Sequence, residues 1–261
     1  NHSTPEEAGL VVEVLVAVFP VVAVQQVPGN EIMNIEKFFN SEEKELIKQT
    51  ISKAESHTSA EIVPVVTESS GRYDRAEDLA GCTIAVAALS LLWFGFQGVS
   101  FDGDWQNTST PELAVGLGST IFTLIAAFVA GVFLANRFWG LRRLFCRRSE
   151  MEACLKERAI QAFQMHRVGS TQQATGVLIF ISAFERMVYV MGDSSISKQF
   201  SNADFEEVKD AIIDGFKDRK YGKGLAEGIQ LCGEKLKGYF PRDENDKDEL
   251  SNDLILWKQK L

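Results

Sequence analysis

Histidine and cysteine are scarce in this chain, at three and four residues of 261. Cys82, Cys146, Cys154 and Cys232 form no CxxC pair and have no neighbouring histidine, which excludes the common zinc and thiol-redox motifs. Also missing is a phosphate-cradling glycine loop, because Gly222-x-Gly224 lacks both the preceding strand and the spacing of a dinucleotide fingerprint. Basic charge falls short of acidic, 27 Lys and Arg against 36 Asp and Glu, a formal balance of −9. An acidic surface repels phosphate backbones and argues against nucleic acid as a partner.

Uninterrupted apolar sequence, by contrast, is abundant. Leu79–Val99 and Leu113–Ala135 are runs of 21 and 23 residues without a charge. At about 1.5 Å per residue each crosses a hydrocarbon core of roughly 30 Å. The short join Ser100–Glu112 predicts a transmembrane helical hairpin over residues 79–136, with both chain ends on one side. After the second run stand Arg137, Arg142, Arg143, Arg147 and Arg148, whereas the join carries Asp102, Asp104 and Glu112 and no base. The positive-inside tendency therefore predicts two spans with cytoplasmic termini. Residues 79–148 hold five arginines against three acids, a balance of +2, which leaves −11 on the rest. The arginine cluster is the expected contact with the lipid bilayer and its anionic head groups. Within the spans, Gly95 with Gly98, Gly116 with Gly118, and Ala127 with Gly131 allow close helix approach to each other or to a membrane partner. Trp93, Trp105 and Trp139 suit the two interfaces.

The flanking sequence reads as water-soluble α/β. Residues 1–36 include the apolar stretch Gly9–Val24, broken by Glu13 and Pro20 and read as a strand or interfacial segment. Asn40-Ser41-Glu42-Glu43 predicts a capped helix. Glu61–Thr67 is a β-branched strand in which Pro64 indicates an edge position or a bulge. Beyond the hairpin, the pattern predicts a helix over Glu150–His166, strands over Thr175–Ser182 and Met187–Met191, and helices over Phe205–Phe216 and Leu225–Leu236. Residues 241–261 form an acidic tail, flexible through Asp248 and then amphipathic over Leu250–Trp257. Leu254 and Trp257 there are candidates for docking on a partner.

Thr58-Ser59-Ala60-Glu61-Ile62-Val63-Pro64-Val65-Val66, then Gly176-Val177-Leu178-Ile179, Glu185-Arg186-Met187-Val188-Tyr189-Val190, Gly192-Asp193, and Phe216 with Tyr221-Gly222-Lys223-Gly224-Leu225, together resemble the TPM-domain family. The resemblance covers about residues 37–78 and 150–240, and the two parts of the domain are read as 37–78 and 137–240 on either side of the hairpin. It implies an α/β/α sandwich, here interrupted by a two-helix transmembrane hairpin. The family usually has a glycine-rich turn after the third strand, of which Gly192-Asp193-Ser194 keeps one glycine.

Some relatives are acid phosphatases of the photosynthetic membrane, and others are assembly or repair factors. Phosphate-ester chemistry would require an arginine or a divalent metal such as calcium or magnesium to neutralise the substrate, and Asp193, Glu68 and Asp74 are the candidate metal ligands. Ser194 and Ser195 are the candidate nucleophiles, although neither has an adjacent base. Arg186 stands where the family places an arginine. The preferred expectation is an accessory, assembly or stabilising subunit of a larger photosynthetic or respiratory membrane complex, its partners being membrane protein subunits. The alternative is a metal-dependent acid phosphatase.

Overall fold

The computed structural model describes residues 17–18, 35–96, 116–243 and 246–258. The join with Gly98 and Trp105, and nearly all of residues 1–34, lie outside them. The chain divides into two compact units, one taking in the chain up to Gly71 and again from Arg148, the other Arg72–Arg147.

The first unit is built on a five-stranded sheet in the order β1-β4-β3-β2-β5, formed by β1 (Ala17–Val18), β2 (Glu61–Thr67), β3 (Gly176–Ser182), β4 (Met187–Gly192) and β5 (Ile255–Trp257). β3 runs parallel to β2 and antiparallel to β4. Alternate strand residues point to opposite faces, and each face is covered by helices. On one side Ile62, Val66, Val177, Ile179, Ile181, Val188 and Val190 join Ile47 and Ile51 of α1 (Ser41–Glu55), Phe205, Val208 and Ile212 of α7 (Asn202–Lys217), and Leu225, Ile229 and Leu236 of α8 (Tyr221–Tyr239). The opposite side, with Leu178, Phe180 and Tyr189, lies against α5 (Arg148–Met165), whose Leu155, Ala159 and Ala162 are fully buried. The architecture is an α/β/α sandwich.

The α1 start follows the sequence signal: Asn40 accepts from the Glu43 N–H at 2.7 Å and the Glu43 carboxylate accepts from the Asn40 N–H at 3.0 Å. Pro64 is placed where it costs little. The Glu61 N–H donates toward β3, at the Thr175 carbonyl, so the alternating Ile62 and Pro64 face the other edge, where β5 pairs only from Val65 onward. The Ile62 N–H on that open edge is taken by a carboxylate oxygen of Glu55 at 2.9 Å.

The tail read as flexible is tied down. Arg242 donates to the Glu55 carbonyl and pairs with Asp248, and the Glu61 carboxylate accepts from the N–H groups of Glu249 and Leu250. Lys48 pairs with Asp253 at 2.8 Å. Leu254 and Trp257, assigned from sequence to a partner, are half-buried on their own unit, with Trp257 in the edge strand β5. An unpaired half of β2 is the nearest available partner for such a segment.

The second unit is a helical hairpin of α2 (Asp74–Phe96) and α3 (Leu117–Arg137), followed by α4 (Trp139–Leu144). Both long helices are long and apolar enough to cross a membrane. They approach closely at Gly131, where an added Cβ would lie 2.8 Å from the Gly81 Cα and 3.2 Å from the Ala80 carbonyl oxygen. Gly95, Gly116 and Gly118 have open space at the same position, so Gly131 forms the tight contact within the hairpin. Gly131→Ala should therefore lower stability in detergent by about 1–3 kcal/mol, because backbone atoms cannot yield to the new methyl. Gly95→Ala should leave the thermal midpoint unchanged or slightly raised, and equal effects of the two would refute the assignment.

Candidate functional site

β2 and β3 run the same way and β4 runs back, so Glu68, following β2, and Asp193, following β4, lie at opposite ends of the sheet. Seven strand residues at about 3.3 Å each separate them by roughly 20 Å. Glu68 and Asp193, both candidate ligands, therefore cannot share one ion. Asp74 belongs to the hairpin unit, in the first turn of α2, where it faces Arg72 at 3.6 Å.

At its own end, Asp193 is the N-cap of α6 (Ser194–Gln199), accepting from the Ser194 N–H through one carboxylate oxygen. This helix is absent from the sequence reading, since six residues carry too little periodicity to register. The second Asp193 oxygen is buried without a hydrogen-bond partner among the described residues. A calcium or magnesium ion takes six or more oxygens. No group of three His, Cys, Asp or Glu able to hold a metal exists among the described residues, so the donor set here does not fit such an ion. Ser195 donates its hydroxyl to the Gln173 carbonyl at 2.7 Å, and Ser194 stands exposed. Neither arrangement activates a nucleophile, which needs a base within reach. The role visible for Asp193 is capping: Asp193→Ala is expected to cost about 1 kcal/mol in thermal unfolding, and Asp193→Ser to restore most of it. A much larger loss, or one that depends on added divalent ions, would overturn the capping role.

The carboxylates that matter most to the unit were not singled out in the sequence. Glu185, in the β3–β4 turn, is fully buried and accepts from the Ser70 N–H at 2.8 Å and from the Ser182 hydroxyl, with the Ser69 hydroxyl 3.5 Å away. A glutamate beside an arginine in a hairpin turn gives no local sign of burial. Next to it, Arg186 takes φ 55° and is half-buried, which lowers its pKa by desolvation, while Tyr221 lies near enough to act on it electrostatically. The arginine and the tyrosine singled out in the sequence motif thus converge at one end of the sheet. At the other end Glu55 is buried, and desolvation pushes its carboxyl up to about 8. Glu61 is raised for the same reason, opposed by its two backbone donors.

His166 packs edge-on to Trp257 with ring centroids 6.2 Å apart, and burial lowers its pKa. A neutral ring there is a packing group and does not charge-stabilise the end of α5. Arg158 lies over the Trp257 ring, 5.2 Å from its centroid. The Cys232 thiol is fully buried and pushed up to about 12, far from nucleophilic.

The arginines at and after the end of α3 have separate surroundings. Arg142 pairs with Glu77 at 3.2 Å, both side chains being mostly buried. Arg137 lies 5.6 Å from the Phe138 ring, and Arg147 is exposed. Arg148, which opens α5, pairs with Glu152 at 2.8 Å.

Residues 144–235 match the family described as TPM domain. No curated protein matches the chain. Among solved structures, the NMR structure of BA42 protein from the psychrophilic bacterium Bizionia argentinensis sp. nov. is similar, with 20% identity and a TM-score of 0.50 over 86% of this chain and 99% of that one. At that identity the likeness is one of fold. On the family match, residues 144–235 of this chain correspond to a TPM domain.

Proposed function

We propose that α2 and α3 anchor this chain in a membrane as a two-span hairpin, and that the chain serves a larger membrane complex as an accessory, assembly or stabilising subunit. The observation that carries the reading is the apolar surface the hairpin leaves uncovered. Leu91 is 75% exposed, Phe94 83%, Phe122 74% and Phe133 67%, on helices uncharged through their central turns. In water such a surface invites association, whereas in a bilayer it meets lipid tails or another protein's helices. The arginines after α3 support, by the positive-inside tendency, a cytoplasmic side for both termini and the TPM domain. Membranes carrying the full chain should retain it after alkaline carbonate washing, and protease added from outside should spare both ends. Extraction in mild detergent followed by sizing should then find it in an assembly larger than the monomer. A carbonate-soluble chain would overturn the anchor, and a lone monomer would overturn the subunit role.

A further inference from the structure

We propose that the elbow formed by the end of α3 and α4 is an anionic-lipid site, in which Arg143 and Arg147 bind head-group phosphates while Phe138 and Leu144 enter the acyl boundary. The inference deepens the reading of α2 and α3 as membrane spans and rests on it. α3 stops at Arg137 because Phe138 takes an extended backbone, φ −118° and ψ 99°, from which the short helix α4 restarts. α4 is thus a separate piece of helix beginning where the second span ends. Its apolar residues are not consumed by the unit's own packing: Leu144 is 76% exposed and Phe138 42%. Trp139 adds an aromatic ring of the type found at the membrane interface.

The charges at this end complement an acidic surface. Residues 72–78 and 137–147 hold six arginines against Asp74, Glu77 and Asp78. Two of those acids face arginines already, Glu77 with Arg142 and Asp74 with Arg72, and Asp78 is exposed. The mostly buried Glu77–Arg142 pair joins the first turn of α2 to α4, so it holds the short helix at the span's end. A juxtamembrane basic cluster is attracted to an acidic leaflet, and an exposed leucine beside it adds apolar burial in the same place. Basic charge and uncovered apolar surface on one short helix fit a bilayer of acidic glycerolipid better than a soluble anion, which would satisfy the arginines and leave Leu144 in water.

The test uses the full chain in neutral detergent micelles, titrated with dihexanoyl-phosphatidylglycerol, dihexanoyl-phosphatidylcholine or inorganic phosphate, with thermal unfolding as the readout. The acidic lipid should raise the midpoint by about 3 °C, through binding to the folded state, and the other two should not. The rise should vanish in 0.5 M salt and fall by more than half in the Arg143→Gln/Arg147→Gln variant. A comparable rise with the zwitterionic lipid or with inorganic phosphate overturns the proposal, as does a rise that salt does not screen. The salt arm needs no variant, so the proposal stays refutable if the double substitution misfolds. Failure of the membrane reading is recognised separately, by release of the unsubstituted chain in alkaline carbonate.

Discussion

Replacing Glu185 with alanine should destabilise the folded chain by roughly 3 kcal/mol or more, because a buried carboxylate that serves buried donors leaves them unsatisfied when it goes. The donors are the Ser70 N–H and the Ser182 hydroxyl; the Ser69 hydroxyl, which donates to the Gly71 carbonyl at 2.8 Å, lies 3.5 Å away. Ser70 is itself buried, so water cannot replace the lost acceptor there. Glu185→Gln keeps one acceptor oxygen and can donate its amide to the Ser182 hydroxyl, so it should cost less, about 1–2 kcal/mol. Thermal unfolding in neutral detergent, followed by near-ultraviolet circular dichroism, measures both. A cost below about 0.5 kcal/mol for Glu185→Ala, the range of ordinary surface changes, would mean that the turn does not depend on this carboxylate. The Ser70 N–H, with Ser69 beside it, tethers the segment after β2 to the β3–β4 turn, so loosening should be greatest in Ser69–Gly71. Hydrogen exchange at the Ser70 amide should report it first.

The second large effect is a pH dependence set by Glu55. Its carboxyl is raised from 4.5 to about 8 in the folded chain by desolvation. The unfolded chain therefore releases this proton first, and between about pH 4.5 and 8 the folded state holds one proton more. Stability contributed by the group is fully present below the lower value and falls as pH rises through the window. At 1.36 kcal/mol per unit the loss approaches roughly 5 kcal/mol. Glu61, shifted in the same direction, adds to the slope with the same sign. Glu55→Gln preserves the acceptor for the Ile62 N–H and removes the titration, so its unfolding free energy should lie above that of the unsubstituted chain at pH 8 and converge with it near pH 5. Denaturant titrations across this range test the expectation, and parallel curves for the two proteins would refute it. The physical consequence is local: an ionised Glu55 would sit against Glu61 and Asp248 beneath the C-terminal segment, so alkaline pH should loosen that segment before the rest.

Much of the fold was legible because its signals are short in range. Glu61–Thr67, the strand pair after Thr175 and the capped start at Asn40 each carry their pattern within a few residues, and all three appear where expected. The six-residue α6 did not, because the aspartate that begins it reads equally well as a turn residue. The candidate site was far less legible. Glu68 and Asp193 both follow strands, and a linear reading could group them. β4 returns antiparallel to β3, which sends them to opposite ends of the sheet. Glu185 and Glu55 were invisible for the converse reason: burial depends on what other segments place around a side chain.

The sequence by itself determined the two apolar runs, the arginines that follow them and the strand and helix pattern of the α/β/α unit, because hydrophobic period, charge and capping act between near neighbours. Only the tertiary structure decided that Asp193 and Glu68 stand apart, that Gly131 and not Gly95 meets the facing helix, and that the C-terminal segment pairs with β2. Each of those outcomes depends on strand direction, crossing position or a vacant sheet edge, and these are relations between segments distant along the chain.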